Sequence, residues 1–322
     1  MANLFSYFSF DQNGLSLYRV MAGSFAGGLI DDRYLDFNGS TYRDAYIVDW
    51  DYSGSTFSSI FGGETITTDT QDNITGGTAT GYLELFYDGA TYSESWGIEG
   101  ISIDASALYR AAHTATVDDE QRLISQALSG DDTFVLSRYN DRAAGLGGND
   151  TMYGNGGNDS LYGGSGRDYI SGGQGSDRVI GGAGGDRLFG GSGNDLLNGG
   201  GGADRFVGGA GRDVMFAGND SARDTFVFGK PSESSDGSNS QDTIRQFDAG
   251  EDILDLSGLD ANNGSNGNQA FGYSNGPAGN SVWVREVGNG SIVQADTNGD
   301  GRADFEIMVR GEFGLTESDF IL

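Results

Sequence analysis

Two residue types that often build catalytic or metal sites are nearly missing from this sequence. It contains no cysteine, which excludes disulfide bonds and thiolate metal sites, and His113 is its only histidine. The paired histidines of a zinc-protease helix are therefore absent. The stretch Gly272-Tyr-Ser274-Asn-Gly276 matches the turn that carries an esterase serine, but no histidine follows it, so we interpret it as a loop. No catalytic site is predicted.

Long apolar runs are missing too. No stretch approaches the roughly 18 apolar residues that a membrane-spanning helix needs, so we predict no transmembrane segment. The first residues, Met1-Ala-Asn-Leu-Phe5, lack a basic region followed by an apolar core, so we expect no N-terminal signal peptide. Hydrophobic residues make up 36% of the chain, which is a small share for a compact globule.

Positive charge is scarce, because 18 basic residues face 47 acidic residues and the net charge is −29. A chain of this charge repels phosphate groups, so we predict no nucleic-acid partner. It attracts cations instead, and hard cations such as Ca²⁺ prefer oxygen ligands.

Glycine is abundant, with 57 residues against 2 prolines, and much of it lies in a nine-residue repeat. The unit reads Gly-Gly-x-Gly-x-Asp-x-U-x, where U is a large apolar residue, as in Gly163-Gly-Ser-Gly-Arg-Asp168. The aspartates of successive units are Asp150, Asp159, Asp168, Asp177, Asp186, Asp195, Asp204 and Asp213. The U residues are Met152, Leu161, Ile170, Val179, Leu188, Leu197, Phe206 and Met215.

Each unit predicts a short strand around U and a tight turn before it. Alternation along the strand sends U to one face and its neighbours to the other, while glycine allows the positive φ angles of the turn. Two units make one turn of a coil, and successive coils stack as two parallel sheets with the U side chains between them. The predicted fold is therefore all-β, with a parallel β-roll.

This roll has little hydrophobic core to stabilise it. One buried U side chain contributes about 1.5–3 kcal/mol, whereas ordering each backbone residue costs about 1–2 kcal/mol. Nine ordered residues therefore outweigh one buried leucine, and another favourable interaction is needed. Each turn offers a carboxylate and several carbonyls, so calcium ions between turns i and i+2 can supply it, roughly six in all. Magnesium fits poorly because it prefers strict octahedral geometry.

The repeat resembles the hemolysin-type calcium-binding repeat of RTX (repeats-in-toxin) proteins. The resemblance implies that the repeat aspartates, Asp150 to Asp213 as named above, and the carbonyls of the turn glycines bind calcium. The implied carbonyl donors are Gly164, Gly166, Gly173, Gly175, Gly182, Gly184, Gly191, Gly193, Gly200, Gly202, Gly209 and Gly211. Leu146 and Asn155 replace the second glycine in the first two units, which departs from the family pattern.

The C-terminal part resembles the C-terminal domain of serralysin-type proteins. The resemblance rests on strand-like stretches at 224–228, 242–247 and 252–256 and on the ending Asp319-Phe-Ile-Leu322. It implies that a type I exporter reads the last residues, which are not removed. The protein is then expected to be secreted from a bacterium, and to be extracellular or attached to the cell surface.

A second acidic stretch, Asp296-Thr-Asn298-Gly-Asp300-Gly301-Arg-Ala-Asp304, matches the start of an EF-hand loop. Its oxygen-bearing residues alternate and glycine is sixth, but its twelfth position is Ile307 instead of glutamate. Two hypotheses remain open. Asp296, Asn298, Asp300 and Asp304 bind a further calcium ion, or the stretch is a hairpin turn, since its flanks alternate like strands.

Three domains are predicted: a β-rich N-terminal domain at 1–128, the roll at 129–229 and a C-terminal domain at 230–322 with a small antiparallel β segment. In the first domain, strands are predicted at 5–10, 45–50 and 81–87. Two short helices, at 105–112 and 117–128, are predicted to cap the roll.

The expected function is calcium-dependent folding of a secreted protein. We expect a non-enzymatic surface, matrix or adhesion protein that contacts polysaccharide or a cell surface, because no catalytic site is recognisable. The alternative is a small polysaccharide-active hydrolase or lyase with its active site in residues 1–128, where acidic residues could form a carboxylate pair.

Overall fold

The computed structural model describes residues 128–235, 241–262 and 267–322, together with the backbone of the strands before residue 105. The chain divides into two compact units. The first comprises residues 1–138 and 145–147, and the second comprises residues 139–144 and 148–322. The predicted three-domain boundaries stay a prediction.

The first unit contains a largely antiparallel sheet. Its strands are β1 (Asn3–Ser6), β2 (Ala26–Ile30), β3 (Leu35–Phe37), β4 (Ser40–Tyr42), β5 (Asp44–Tyr52), β6 (Ser55–Thr68), β7 (Ile74–Tyr87), β8 (Tyr92–Asp104) and β9 (Thr133–Val135). The order is β2-β5-β6-β7-β8-β1-β9, with β1 antiparallel to β8 and parallel to β9, while β3 and β4 form a separate pair.

Some of the predicted N-terminal elements can be checked against these strands. The strands predicted at 45–50 and 81–87 are confirmed within β5 and β7, and β1 covers the start of the strand predicted at 5–10. The rest of that strand and both predicted capping helices, at 105–112 and 117–128, lie outside the described residues, apart from the last residue of the second helix.

The remaining strands follow in chain order. They are β10 (Arg142–Gly147), β11 (Thr151–Tyr153), β12 (Ser160–Ser165), β13 (Tyr169–Gln174), β14 (Arg178–Ala183), β15 (Arg187–Ser192), β16 (Leu196–Gly201), β17 (Arg205–Ala210), β18 (Val214–Gly218), β19 (Thr225–Val227), β20 (Asp242–Arg245), β21 (Ile253–Asp255), β22 (Gly272–Ser274), β23 (Ser281–Val287), β24 (Gly290–Ala295), β25 (Phe305–Arg310) and β26 (Phe320–Ile321). Within the described residues, the helical elements are 3-10 turns at Pro231–Glu233 and Glu317–Asp319. In that same part of the chain, no helix is long and apolar enough to cross a membrane.

The second unit contains the predicted parallel β-roll. One sheet has the order β11-β13-β15-β17-β19-β21-β26, and the other continues from β12 through β14, β16, β18, β20 and β25. From β11 to β21, each strand pairs in parallel with the next strand but one, so that Ile170 aligns with Leu188 and Leu188 with Phe206. All U residues of the repeat are at most 1% exposed, which confirms that they form the core between the sheets.

The two sheets of the roll extend beyond the last nine-residue unit. Buried Phe226, Ile244 and Leu254 continue the core, and the rings of Phe206 and Phe226 stack with centroids 4.6 Å apart. An antiparallel segment, β23-β24-β25, then follows as predicted. The stretch 272–276, interpreted from sequence as a loop, begins as strand β22.

Candidate metal centre

The repeat aspartates form two ladders, one along each edge of the roll. In each ladder, Oδ1 of one aspartate accepts a hydrogen bond from the backbone N–H of the aspartate 18 residues earlier. Asp168 N–H donates to Asp186 Oδ1 at 2.9 Å, and Asp159 N–H donates to Asp177 Oδ1 at 2.7 Å. The bonds tie each turn to the next turn on the same edge, which confirms the stacking of turns i and i+2.

The second carboxylate oxygen, Oδ2, has no such partner in several ladder aspartates of the described residues. Within the described part of the chain, the Oδ2 atom is buried and accepts no hydrogen bond in Asp159, Asp177, Asp186, Asp195, Asp204, Asp213 and Asp242. A buried carboxylate oxygen without a partner is costly, so it must be protonated or face a cation.

Burial therefore perturbs the titration of the ladder. It raises the pKa of Asp186 to about 6, of Asp195 to about 7 and of Asp204 to about 8, although a backbone hydrogen bond to each carboxylate partly opposes the shift. Repulsion from the neighbouring ladder carboxylates raises these pKa values further. A cation between the turns would offset both burial and repulsion.

The turns also present backbone carbonyls to the spaces between successive turns of one edge, which we call the gaps. All the glycines predicted as carbonyl donors have positive φ, between 101° and 140°. Leu146 (φ 74°) and Asn155 (φ 69°), which replace the second glycine, also have positive φ. The departure from the sequence pattern therefore leaves the turn in the left-handed region at both positions.

The glycines at the second and fourth positions of each unit face the same glycines of the neighbouring turn. A Cβ atom added to Gly182 would lie 2.9 Å from the carbonyl carbon of Gly164, and one added to Gly184 would lie 2.6 Å from that of Gly166. These carbonyls therefore point along the stack, between turns, and any side chain at these positions would fill the gap.

The first glycine of each unit also borders the gap, and the sequence reasoning missed it. A Cβ atom added to Gly181 would lie 2.7 Å from Gly199 O and 2.9 Å from Asp186 Cγ. A carboxylate and a carbonyl oxygen of adjacent turns thus converge on one space. The repeated first glycine of the motif was the available signal, since its lack of a side chain leaves room there.

These donors fit a hard cation. Within the described residues, no group of three or more Asp, Glu or His side chains could hold a metal ion, so side chains alone do not build a site. Carbonyl oxygens from the turns can complete the shell around one carboxylate oxygen, and an irregular all-oxygen shell suits Ca²⁺ better than Mg²⁺ or Zn²⁺.

The ladders continue past the repeat, which the sequence reasoning also missed. Asp204 N–H donates to Asp224 Oδ1, Asp213 N–H to Asp242 Oδ1 and Asp224 N–H to Asp252 Oδ1, at 2.7–2.9 Å. These residues lack the glycine pattern, but each precedes a buried residue by two positions, as the repeat aspartates do. That spacing, Asp-x-U, could have identified them.

The EF-hand-like stretch forms the hairpin connection between β24 and β25. Asp296 Oδ1 accepts from Asn298 N–H (3.0 Å) and Gly299 N–H (2.7 Å), and Oδ2 accepts from Gly301 N–H (2.6 Å). Burial alone would raise the pKa of Asp296, but these hydrogen bonds hold it below its ordinary value. Asp304 accepts from Thr297 N–H, so the loop is closed by its own backbone. Calcium binding by Asp296, Asn298, Asp300 and Asp304 stays a prediction.

Comparisons with known proteins agree with this geometry. The model of the RTX calcium-binding nonapeptide repeat matches in four copies, at residues 127–161, 144–179, 153–188 and 180–215. A search of curated proteins found no significant match.

Two solved structures are similar to part of the chain, and both are solution structures of subunits of the Azotobacter vinelandii mannuronan C5-epimerase. The AlgE6R3 subunit is 26% identical, with a TM-score of 0.32 over 51% of this chain and 77% of that chain. The AlgE6R2 subunit is 23% identical, with a TM-score of 0.29 over 60% of this chain and 88% of that chain.

The family match covers the same turns as the two ladders, so residues 127–215 carry RTX calcium-binding nonapeptide repeats.

Proposed function

We propose that calcium ions occupy the gaps between successive turns of the roll and drive its folding. The ligands are Oδ2 of the repeat aspartates, Asp150 to Asp213, and carbonyl oxygens of the turn glycines named above, with roughly six ions in all. The observation that carries this proposal is a set of buried Oδ2 atoms that accept no hydrogen bond within the described part of the chain, those of Asp159, Asp177, Asp186, Asp195, Asp204 and Asp213.

Calcium acts on folding through mass action. An ion that binds the folded roll and not the unfolded chain stabilises the roll by RT ln(1 + [Ca²⁺]/Kd) at each site, and the contributions of several sites add. Sites with dissociation constants of about 10⁻⁴–10⁻³ M fill outside the cell and stay empty in a calcium-poor cytosol. The chain is therefore unfolded during export and folds afterwards.

The exporter signal lies in the serralysin-like C-terminal domain. In the folded chain, Phe320 and Ile321 form β26 and pair with Leu254 and Asp255 of β21. Asp319 accepts hydrogen bonds from Gly250 N–H and Thr316 N–H. A type I exporter can read Asp319-Phe-Ile-Leu322 only while this pairing is absent, which supports export of an unfolded chain.

Outside the cell, the roll acts as a rigid scaffold. The protein is a non-enzymatic surface, matrix or adhesion protein, and its outward-facing side chains contact polysaccharide or a cell surface.

The ligand assignment is tested by Asp186→Asn in the full chain. Asparagine keeps an oxygen that can accept from Asp168 N–H and removes the charge at Oδ2. Asp248→Asn is the control, because Asp248 is exposed and lies outside the ladders. Calorimetric titration should show weaker or fewer calcium sites for Asp186→Asn and wild-type binding for Asp248→Asn. Equal binding by all three proteins contradicts the assignment.

A further inference from the structure

A cavity of about 530 Å³ opens at one edge of the roll, beside the proposed calcium ligands Asp168 and Asp186, which form part of its lining. The rest of the lining is Arg167, Tyr169, Gly185, Arg187, Ala203 and Arg205. Arg187 and Arg205 are neighbours in register on β15 and β17, and Tyr169 precedes them on β13.

The cavity exists because two turns lack a side chain that the opposite edge has. On the opposite edge, the residue before each ladder aspartate bonds to the next turn, as when Ser176 N–H donates to Asn158 Oδ1 at 2.7 Å. Arg212 N–H likewise donates to Asn194 Oδ1 at 2.9 Å. On the cavity edge, Arg167 N–H makes the same bond to Asn149 Oδ1 at 2.8 Å. The next two turns hold Gly185 and Ala203 at this position, which have no polar side chain to close the space.

The cavity concentrates positive charge in a chain whose net charge is −29. Within the described residues, Arg167 and Arg187 form no ion pair, and Arg205 Nη1 lies as far as 3.9 Å from Asp255 Oδ2. Adjacent strands are about 4.8 Å apart, so the two in-register arginines repel each other unless an anion lies between them.

Two carboxylates share the cavity with these arginines, and both are proposed calcium ligands. Asp168 and Asp186 are 2% and 1% exposed, and their Oδ1 atoms accept from the N–H groups of Asp150 and Asp168. When calcium fills the gaps as proposed above, the ions cancel the charge of these carboxylates, and the guanidinium groups are left to an external ligand.

An aromatic strip runs beside the arginines. The ring of Tyr169 lies 4.9 Å from that of Phe189 and 5.8 Å from that of Tyr153, between centroids, on the outward side of the sheet. Tyr153 is 39% exposed, so the strip is open to solvent. Aromatic faces stack on sugar rings, and guanidinium groups bind carboxylates through paired hydrogen bonds.

We propose that this surface, the arginine cavity with its aromatic strip, binds an extended acidic polysaccharide that carries carboxylates, a polymer of uronic acids. The strand spacing is comparable to the length of one pyranose residue, so successive carboxylates can meet successive arginines. This inference rests on the calcium-folded roll of the proposed function and adds the class of partner that the roll contacts.

The test measures binding of short oligogalacturonates to the full chain in saturating calcium, by calorimetry. Short oligomers avoid gelation by calcium. Wild type is compared with the double variant Arg167→Gln/Arg187→Gln. The matched control is Arg178→Gln, because Arg178 occupies the same repeat position as Arg187 but lies on β14 of the other sheet. Far-UV circular dichroism of each variant, in the same buffer, reports whether the roll is folded.

We expect the double variant to bind roughly tenfold more weakly or worse, from the loss of charged hydrogen bonds, and Arg178→Gln to bind as wild type. Neutral oligosaccharides of equal length should not bind. The proposal is overturned if the folded double variant binds as wild type, if Arg178→Gln weakens binding equally, or if inorganic phosphate alone displaces the oligomer at equal concentration. A wild-type chain that does not fold in calcium contradicts the proposed function instead.

Discussion

Replacing Gly202 by alanine tests whether the turn backbone itself builds the calcium gap. Gly202 has φ +118°, and a Cβ atom there would lie 2.6 Å from the carbonyl carbon of Gly184 in the turn below. The strained φ costs about 1–3 kcal/mol in a residue other than glycine. Forcing the two turns apart adds about 1–3 kcal/mol, as for other overpacked sites. The calcium-loaded chain should therefore lose about 2–6 kcal/mol of stability.

The matched control is the preceding residue. A Cβ atom on Gly201 would lie 3.3 Å from Asp220 Oδ2, the end of a flexible side chain, and its φ is outside the left-handed region. Ala183, its partner in the adjacent strand, already holds alanine at the same repeat position. Gly201→Ala should therefore be neutral or stabilise the chain by up to about 1 kcal/mol through the unfolded state.

Differential scanning calorimetry in saturating calcium compares the two variants. At about 2–4 °C per kcal/mol, Gly202→Ala should lower Tm by roughly 4–24 °C, while Gly201→Ala leaves it nearly unchanged. The calcium sites of Gly202→Ala should also bind more weakly, because the separated turns no longer place their carbonyls around one ion. If both variants melt within about 2 °C of each other, the close approach of the turns is not what supports the roll.

Three further predictions follow from the ladders and from the lack of a recognisable catalytic site. Because burial raises the pKa of Asp186 to about 6 and of Asp204 to about 8, carboxyl protonation stabilises the metal-free roll fully below about pH 4, and this contribution is lost as pH rises through 6–8. Circular dichroism of the calcium-free chain should thus show more β structure at pH 4 than at pH 8, whereas calcium affinity should fall from pH 8 to pH 6; no dependence on pH in either experiment contradicts the burial of these groups. Asp242→Asn should weaken calcium binding in calorimetric titrations although Asp242 lies outside the nonapeptide repeat, and unchanged binding would restrict the metal sites to the repeat. The full chain should not turn over any member of a panel of polysaccharides, and turnover abolished by a single Asp or Glu substitution in residues 1–128 would favour the enzymatic alternative.

The repeat was predictable because its aspartate and its large apolar residue U share the same nine-residue period. Asp and U recur every nine residues from Asp150 to Met215, and only a stacked coil uses both in phase. The positive φ angles of the glycines at the second and fourth positions of the unit also follow from the sequence, since no other residue adopts such angles so readily.

The continuation of the ladders was not predictable from the period. Asp204 and Asp224 are 20 residues apart, and Asp213 and Asp242 are 29 apart, because loops have been inserted between turns. A stacked coil tolerates such loops as long as the aspartate and the buried residue return to register. The nine-residue period of the sequence is lost here, whereas the hydrogen bonds between ladder aspartates are kept. A search for a fixed spacing therefore misses these turns.

The arginine cavity was not predictable either. It arises from the contrast between Gly185 and Ala203 on one edge and Asn158, Ser176 and Asn194 on the other. All of these occupy the variable position before the aspartate, where the repeat has no preference. Because alternate units stack on separate edges, the small residues at this position lie together on one edge and leave a cavity there.

Far-UV circular dichroism of the full chain during a calcium titration, with magnesium as the matched divalent ion, measures whether calcium folds the roll. The metal-free chain at neutral pH should lack the β signal of the roll, and this signal should appear cooperatively as calcium reaches millimolar concentration but not with equal magnesium. A metal-free chain with the full β signal, or an equal response to both ions, would contradict the claim that calcium between the turns holds the roll together.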